Sequence, residues 1–360
     1  MIVGEIIVRP EQEAKIRMKL RQKNMLLPDF VSEFIYVSET SKSISTCYEY
    51  MKDLLLFFEF LIKERKVLVS DTKDITTDDL NRLTERDFVD FMNYLSFYKK
   101  TYQSRTGKEI VQSYKNQPEG KNRKLATLRV FFDYLFQREH IEKDITKRVE
   151  MKVRKRVKIK NRLSDKEVRL FFETIKQDVN VESSHAGAYH NKTKYRDYVI
   201  AILFAYCGIR VSELAQLNVD DVFKEEHALI VTRKGGNEQG IPIPDEIYEL
   251  VVDYVEIRKK VTDVQKEDEN ALFLSLQGKR IHPRTIRNML DKYRKRAGLS
   301  IKITPHVFRR TFGTNHYNTF KDMYLTALIL GHSSAETTRK YYADPNEDRV
   351  KKSMSGFNYN

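Results

Sequence analysis

Residues 304–342 read TPHVFRRTFGTNHYNTFKDMYLTALILGHSSAETTRKYY, and this stretch decides the second half of the fold. Thr304 is a good N-cap and Pro305 suits the first helical position, so we expect a helix to begin there. The apolar run from Met323 to Leu330 predicts a second, buried helix that ends at Gly331. Two helices in tandem, joined by a short polar segment, are therefore expected.

A third helix should follow, because Ser333 and Glu336 have the spacing of a capping box. Imidazole, guanidinium and phenol groups then fall at helix starts and ends: His306, Arg309, His332, Tyr341 and Tyr342. His306 and Arg309 are three residues apart and share one helix face. Such groups can bind an anion and move protons.

Composition narrows the class of protein. The chain has 360 residues, enough for about two domains. A formal net charge of +14 favours an anionic partner, of which nucleic acid is the commonest, over a merely basic soluble protein. Two distant cysteines, with no signal peptide and no apolar run of membrane-spanning length, predict a reduced cytoplasmic protein without a membrane segment.

The first 146 residues are expected to form a helical domain. Three apolar stripes at helical spacing indicate its core, around Phe57, Phe91 and Phe131. Pro118 and Gly120 predict a loop between the second and third stripes. Basic residues near the third helix are candidates for DNA contact, although a solvated face is equally compatible; they are Lys121, Arg123 and Lys124.

Residues 147–162, KRVEMKVRKRVKIKNR, form the predicted linker between two domains. Nine of them are Lys or Arg, and alternating apolar residues favour an extended strap that follows a phosphate backbone. A disordered hinge is the alternative reading. The DNA-contacting candidates here are Lys152, Arg154, Lys155, Arg156 and Lys158.

The remaining residues, 163–360, predict a second domain. A buried helix ends at Gly208, and Arg210 then begins another helix with Glu213 three residues on, where it can orient the guanidinium. Residues 227–232 alternate like a strand, and a glycine turn puts Lys234 at the tip of a hairpin. A basic helix from Arg284 to Arg296 should turn its basic face to DNA and contact phosphates through Arg284, Arg287, Lys292 and Arg294.

Four motifs in this order, G-I-R-x-S-E-L, T-R-K-G-G, H-x-x-R with L-G-H-S, and T-T-x-x-Y, resemble the tyrosine recombinase/integrase family. The resemblance implies a mainly α fold with a small antiparallel sheet, in which a helical core-binding domain precedes a catalytic domain with a C-terminal tail. It also implies a catalytic set: Arg210, Lys234, His306, Arg309, His332 and the nucleophile Tyr341. Glu213 is carried as a supporting residue.

Two assignments have competitors nearby in sequence. Arg233 competes with Lys234 on the hairpin, and the match to T-R-K-G-G favours Lys234. Tyr342 competes with Tyr341, and T-T-x-x-Y favours Tyr341. Adjacent side chains on a helix point about 100 degrees apart, so both phenols cannot face one phosphate. The family chemistry needs no metal ion and no cofactor.

The branch of the family is predicted from architecture. The resemblance covers nearly the whole chain and is closest to Xer-type recombinases, in particular to the branch in which a single protein resolves chromosome dimers. An integrase of a mobile element, a catalytically inactive DNA-binding relative and a type IB topoisomerase are the alternatives. The implied partners are duplex DNA with a specific site and three further copies of the chain, with exchange of C-terminal tails.

Overall fold

The computed structural model describes residues 8–64, 66–104, 106–150, 162–177, 185–233 and 236–331. The chain divides into two compact units, Met1–Arg156 and Val157–Asn360. Each unit has its own hydrophobic core, built mainly from helices. Two small antiparallel sheets accompany them, which confirms the predicted fold class.

The described part of the first unit contains six α-helices: α1 Val8–Asn24, α2 Asp29–Glu39, α3 Ile44–Lys63, α4 Thr77–Asn81, α5 Glu85–Tyr94 and α6 Pro118–Gln137. The three predicted stripes lie on α3, α5 and α6, and their aromatic rings are buried. Phe57 contacts Phe91 and Phe132 edge-on, with ring centroids 5.0 and 6.3 Å apart. Such edge-to-face pairs add to the burial energy and hold the three helices in register.

A β-hairpin lies between α5 and α6, where the sequence predicted a loop. Its strands are β1, Tyr98–Gln103, and β2, Glu109–Tyr114, paired antiparallel from Tyr98 opposite Tyr114 to Gln103 opposite Glu109. The predicted loop at Pro118 and Gly120 is wrong, because Pro118 is the first residue of α6. Proline suits that position since its missing N–H has no helical partner there.

The first unit extends further along the chain than predicted. Residues Ile145–Arg148 form a 3₁₀ turn, and Val149 is only 1% exposed. The Arg129 guanidinium donates to the Val149 carbonyl at 2.7 Å. The predicted linker of 147–162 therefore starts with residues that pack on the first unit, and its candidate DNA contacts Lys152, Arg154, Lys155, Arg156 and Lys158 lie outside the described residues.

Among its described residues, the second unit has seven α-helices: α7 Asp165–Lys176, α8 His185–Cys207, α9 Val211–Gln216, α10 Asp245–Lys259, α11 Pro283–Arg296, α12 Pro305–Phe320 and α13 Met323–Leu330. A three-stranded antiparallel sheet in the order β3-β4-β5 accompanies them, with β3 at Val222–Phe223, β4 at Ala228–Thr232 and β5 at Glu238–Pro242. The apolar second half of α8 runs through the core, where Leu203 and Phe204 are fully buried.

Local signals in the sequence set several of these boundaries. Ser164 caps α7 in a capping box with Glu167, and the Thr304 side chain accepts from the Val307 N–H at the start of α12. Gly331 ends α13 in the left-handed conformation, at φ 61°. The structure confirms the predicted boundaries at Thr304 and Gly331. They could be predicted because each depends on residues within one helical turn.

The predicted burial of α13 is only half right. Thr326, Ala327 and Leu330 face the core, whereas Tyr324 is 73% exposed and Leu328 is 53% exposed. An eight-residue helix packed at the edge of the unit can bury only one face, whatever its composition. Among the helices that the structure describes, none combines the length and apolar character that a membrane crossing requires.

Candidate active site

The segment before α9 positions the first arginine. Gly208 has φ 58°, and a Cβ there would lie 2.4 Å from the Phe312 ring, so any other residue would be strained and would have to displace that ring. Arg210 occupies the N-cap of α9. Glu213 accepts from the Arg210 backbone N–H at 2.7 Å and from its Nη1 at 2.7 Å. The predicted contact between Glu213 and Arg210 is therefore present.

Arg309, on the second turn of α12, is 5% exposed and bridges two neighbouring segments. Its Nη1 donates to the Gly208 carbonyl at 2.7 Å, and its Nη2 donates to the Leu330 carbonyl at the end of α13. Arg210 Nη2 donates to the next carbonyl, that of Gly331, at 3.1 Å. The two arginines predicted to share a site thus bind consecutive peptide groups.

The carbonyl groups at the C-terminal end of α13 accept hydrogen bonds from several side chains of this site. The last carbonyls of a helix have no intrahelical donor and carry partial negative charge, so they attract cations. Four side chains satisfy them in order: Gln239 on Leu328 at 2.9 Å, Arg233 on Ile329 at 2.7 Å, Arg309 on Leu330 and Arg210 on Gly331. Three guanidinium groups are consequently gathered around one helix end.

Arg233 is the member of this group that sequence reasoning misplaced. It is 7% exposed, and its Nη1 lies 2.8 Å from Glu213 Oε2. Burial lowers the pKa of Arg233, while the charge of Glu213 acts in the opposite direction. The alternation of buried Leu229 and Val231 along β4 was the available signal, since a residue two positions further on shares their side of the strand.

Glu213 therefore bridges Arg210 and Arg233, with one carboxylate oxygen on each. The side chain of Arg210 remains 31% exposed, whereas that of Arg233 is 8% exposed. Arg210 can consequently reach a ligand while Arg233 fixes the carboxylate behind it. A buried carboxylate held by two charge-assisted contacts keeps its position when a ligand arrives.

His306 lies in the first turn of α12, at the solvent side of this cluster. Partial desolvation lowers its pKa below the ordinary value, and the positive charges of Arg309, Arg287, Arg310 and Arg210 lower it further. The ring is thus neutral near pH 7. A neutral imidazole can donate a hydrogen bond from one nitrogen and accept a proton at the other.

Four predicted residues meet in this way: Arg210, Glu213, His306 and Arg309. The other three, Lys234, His332 and Tyr341, lie outside the described residues, as does Tyr342. Two of the missing three have described sequence neighbours at the site, namely Arg233 before Lys234 and Gly331 before His332. In the part of the chain that is described, no cluster of three or more His, Cys, Asp or Glu side chains is placed to hold a metal ion.

The candidate DNA contacts of the first unit are partly occupied by internal partners. Arg123 Nη2 lies 2.7 Å from Asp53, which is 3% exposed, and Lys124 Nζ lies 3.8 Å from the same carboxylate. Burial lowers the pKa of Lys124, with Asp53 opposing that effect. Lys121 donates to Ser96 at 2.6 Å. Arg123 and Lys124 thus stabilise the fold, whichever ligand they also touch.

On α11 the predicted basic face divides into two sets. Lys292 packs over the Tyr293 ring and lies 3.7 Å from the buried Asp197. Arg294 donates to the Leu299 carbonyl at 2.9 Å. Arg284 and Arg287 are exposed, and the charge of Arg287 acts on His306. Arg287 therefore borders the arginine cluster and can extend its positive surface.

Fixed guanidinium groups around a neutral histidine define a site for an anionic group whose charge grows during reaction. Residues 161–349, more than half of the chain, match the model of the phage integrase family. The chain belongs to this family of tyrosine recombinases, enzymes that cleave and rejoin DNA at specific sites.

Three comparisons illustrate the likeness. The chain is 30% identical over 323 residues to tyrosine recombinase XerC of Caldanaerobacter subterraneus subsp. tengcongensis, covering 88% of this chain and 82% of that protein. It is 28% identical over 355 residues to tyrosine recombinase XerS of Streptococcus uberis, covering 92% and 96%. A solved XerH recombinase bound to a palindromic difH substrate has the same fold, with a TM-score of 0.63 at 20% identity, over 87% of this chain and 80% of that one.

Proposed function

We propose that this protein is an Xer-type recombinase that acts alone at a specific chromosomal site and resolves chromosome dimers. The likeness to Xer relatives extends over most of the chain rather than the catalytic half alone, which supports this role. The observation that carries the chemistry is the binding of Arg210 and Arg309 to consecutive carbonyls at the end of α13. Because the substrate is chromosomal DNA, the proposal places the protein in the cytoplasm.

The two arginines are suited to one phosphodiester. Arg210 is partly exposed and presents a planar fork to a nonbridging phosphate oxygen, and the almost fully buried Arg309 adds a fixed positive charge to the same site. Glu213, the Gly208 carbonyl and the end of α13 hold these groups in place before DNA arrives. Positioned charges of this kind stabilise a pentavalent phosphoryl transition state without having to reorganise during the reaction.

The nucleophile in the proposal is Tyr341. A phenol has an ordinary pKa of about 10, and nearby positive charge favours its ionised form. The Tyr341 oxygen bonds to phosphorus, and the bond from phosphorus to the 5′ oxygen breaks. His332 accepts the phenol proton, Lys234 gives a proton to the departing 5′ oxygen, and His306 supports the phosphate.

The products are a 3′-phosphotyrosine and a free 5′ hydroxyl. Because the covalent bond conserves the phosphodiester energy, ATP is not consumed. A 5′ hydroxyl from a partner duplex attacks the phosphotyrosine and releases Tyr341. Two such rounds through a four-way junction complete recombination.

Four copies of the chain on two DNA sites would carry out these rounds. The tail after Pro345 is proposed to dock on a neighbouring copy. The exposed apolar face of α13, with Tyr324, Leu325 and Leu328, supports this assignment because it offers a surface for the apolar tail residues Val350 and Phe357. A chain that ends at Pro345 is expected to bind single sites normally and to assemble poorly on two.

Trapping the covalent intermediate tests the chemistry. The bound chromosomal sequence is mapped first, and a duplex with that sequence and a nick beside the cleavage point is then incubated with the protein. The nick lets a short fragment leave, so the 3′-phosphotyrosine accumulates and is counted on a denaturing gel. Tyr341→Phe is expected to abolish the adduct. Tyr342→Phe is the matched control, and an adduct lost only in that variant would transfer the role to Tyr342.

The biological role has a separate test. A single bound locus near the replication terminus supports dimer resolution, whereas binding at the ends of a mobile element would replace it with an integrase. A supercoiled plasmid with two copies of the site should be resolved into two circles. Relaxation of a plasmid without sites would instead indicate a topoisomerase, and the lack of any adduct would leave a DNA-binding protein without catalysis.

A further inference from the structure

The hairpin β1–β2 of the first unit has one face that packs and one that does not. Tyr98 is 8% exposed, and the rings of Tyr94, Tyr98 and Tyr114 stack in sequence with centroids 5.2 Å apart. On the same face Lys100 pairs with Glu59 of α3 at 2.6 Å. The part of this face around Tyr98 and Lys100 therefore packs on the helices of its own unit, whereas Tyr102 and Ile110 further along remain exposed.

The opposite face carries the alternate residues of both strands, and all are exposed: Lys99, Thr101 and Gln103 on β1, and Glu109, Val111 and Ser113 on β2. Lys115, directly after β2, is exposed beside it. Lys99 and Lys115 make no ion pair with any residue that the structure describes. Their ammonium groups, with hydroxyl and amide groups beyond them, are thus available to an anionic partner.

Within residues 1–124, positive charge is concentrated at this hairpin and the start of α6. Residues 95–124 contain eight Lys or Arg and two Glu, whereas residues 1–94 contain 14 Lys or Arg and 17 Asp or Glu. Within the basic stretch, Arg123 and Lys124 are already engaged by Asp53, and Lys100 by Glu59. Among the described residues of this stretch, Lys99 and Lys115 on or beside the outer hairpin face, and Lys108 in its turn, make no ion pair or side-chain hydrogen bond.

We propose that this outer face, from Lys99 and Lys115 to Thr101 and Ser113, binds the phosphate backbone of duplex DNA. Lysine, threonine, serine and glutamine side chains are the usual donors to phosphate oxygens. A two-stranded hairpin alone is only marginally stable in water. A partner that covers the outer face of β1 and β2 would therefore stabilise the hairpin. The inference rests on the proposed function, because it extends the DNA contact of the first unit from the start of α6 along the hairpin.

A second copy of the chain is the competing occupant, given the exposed Tyr102, Ile110 and Val111. Tyr102 and Ile110, however, are cross-strand neighbours on the inner face, and Val111 is the one apolar side chain on the outer face. The outer face is polar with two unpaired ammonium groups, which fits a polyanion better than a copy of a protein with net charge +14.

The test compares the salt dependence of binding by full-length variants to a duplex of about 30 base pairs of arbitrary sequence, since phosphate contacts do not require a specific site. The double variant Lys99→Ala/Lys115→Ala is expected to reduce the slope of log K against log[salt] by about 2, because each lost phosphate contact removes about 0.9. Lys73→Ala/Lys143→Ala is the matched control, as both lysines are exposed in the same unit and unpaired among the described residues. Lys99→Arg/Lys115→Arg should retain the wild-type slope.

An unchanged slope in the alanine variant, with an unchanged melting temperature, would overturn the inference. A normal slope combined with weaker cooperative binding of two copies would also overturn it and assign the face to a protein contact. Adduct formation by the wild-type protein distinguishes failure of the proposed function from failure of the hairpin contact. Without an adduct the proposed function fails, whereas an adduct with an unchanged slope refutes the hairpin contact alone.

Discussion

Arg233 and Glu213 form a buried ion pair, with Nη1 and Oε2 2.8 Å apart. The other carboxylate oxygen of Glu213 holds Arg210 at 2.7 Å. The position of the partly exposed Arg210 therefore depends on Arg233, which is almost fully buried. This coupling gives Arg233 a positioning role that can be separated from its contribution to stability.

Replacement of Arg233 by alanine is expected to destabilise the second unit by about 3 kcal/mol, because a buried carboxylate loses one partner. The rate of adduct formation should fall more than the affinity of the protein for DNA, because Glu213, which supports Arg210, is no longer held by Arg233. Urea unfolding and single-turnover cleavage measure the two effects. Arg233→Lys keeps the charge without the planar fork, so partial recovery is expected; equal rates for all three proteins would contradict the positioning role.

Gly331 is predicted to be irreplaceable for two separate reasons. Its φ of 61° strains any L side chain, and a Cβ there would lie 2.6 Å from Arg233 Nε. Gly298 has φ 65° with no atom within 4 Å of that position, so Gly298→Ala reports backbone strain alone. Both variants should lose about 1–2 kcal/mol from strain. Only Gly331→Ala should also slow cleavage, and equal cleavage by the two variants would show that Arg233 adjusts freely.

Titration of His306 should respond to an anion in the site. Its pKa is lowered in the folded protein, so the unfolded state binds more protons and the free energy of unfolding falls as the pH drops below about 6.5. His306→Asn should reduce that loss. Because phosphate offsets the surrounding arginine charge, bound DNA should raise the pKa of His306, as measured by NMR on labelled histidine.

His316 is the internal control for that titration. Burial lowers its pKa as well, but its ring bonds Thr326 and lies against Phe320 rather than in the arginine cluster. Its resonance is expected to keep the same midpoint when DNA binds. A shift of His316 equal to that of His306 would indicate a general conformational change in place of a local charge effect.

The two cysteines provide one reporter in each unit. Cys47 and Cys207 are fully buried, and burial raises the pKa of Cys207 to about 12. The thiolate is the reactive form, so neither residue should be alkylated in the native protein at pH 8. Mass spectrometry after alkylation in increasing urea should show both sites label only as their units unfold. Rapid native labelling of Cys207 would reveal that the end of α8 opens.

Local features of this fold were predictable from sequence. The contact of Arg210 with Glu213 spans three residues of one helix, and Thr304 and Gly331 act within single turns. Features that join distant segments were harder to predict. The resemblance placed Arg210 and Arg309 in one site, but the pairing of Lys124 with Asp53 had no signal because these residues are about 70 positions apart.

Two misses have specific physical causes. The hairpin β1–β2 exposes nearly all of its residues, so it lacks the alternation of apolar and polar residues that reveals a half-buried strand. The burial of Arg233 is hard to predict because a charged side chain is rarely buried unless it is paired. Its partner Glu213 lies 20 positions away and also binds Arg210, so one carboxylate serves two arginines.

The end of α13 also has a mechanical consequence. The carbonyls of Leu330 and Gly331 move as a rigid body with this eight-residue helix, and Arg309 and Arg210 are tethered to them. A force on the chain beyond Gly331 would therefore displace both guanidinium groups at once. We therefore expect the proposed docking of the tail on a neighbouring copy to shift Arg210 and Arg309 together, because the chain continues from Gly331 toward the tail.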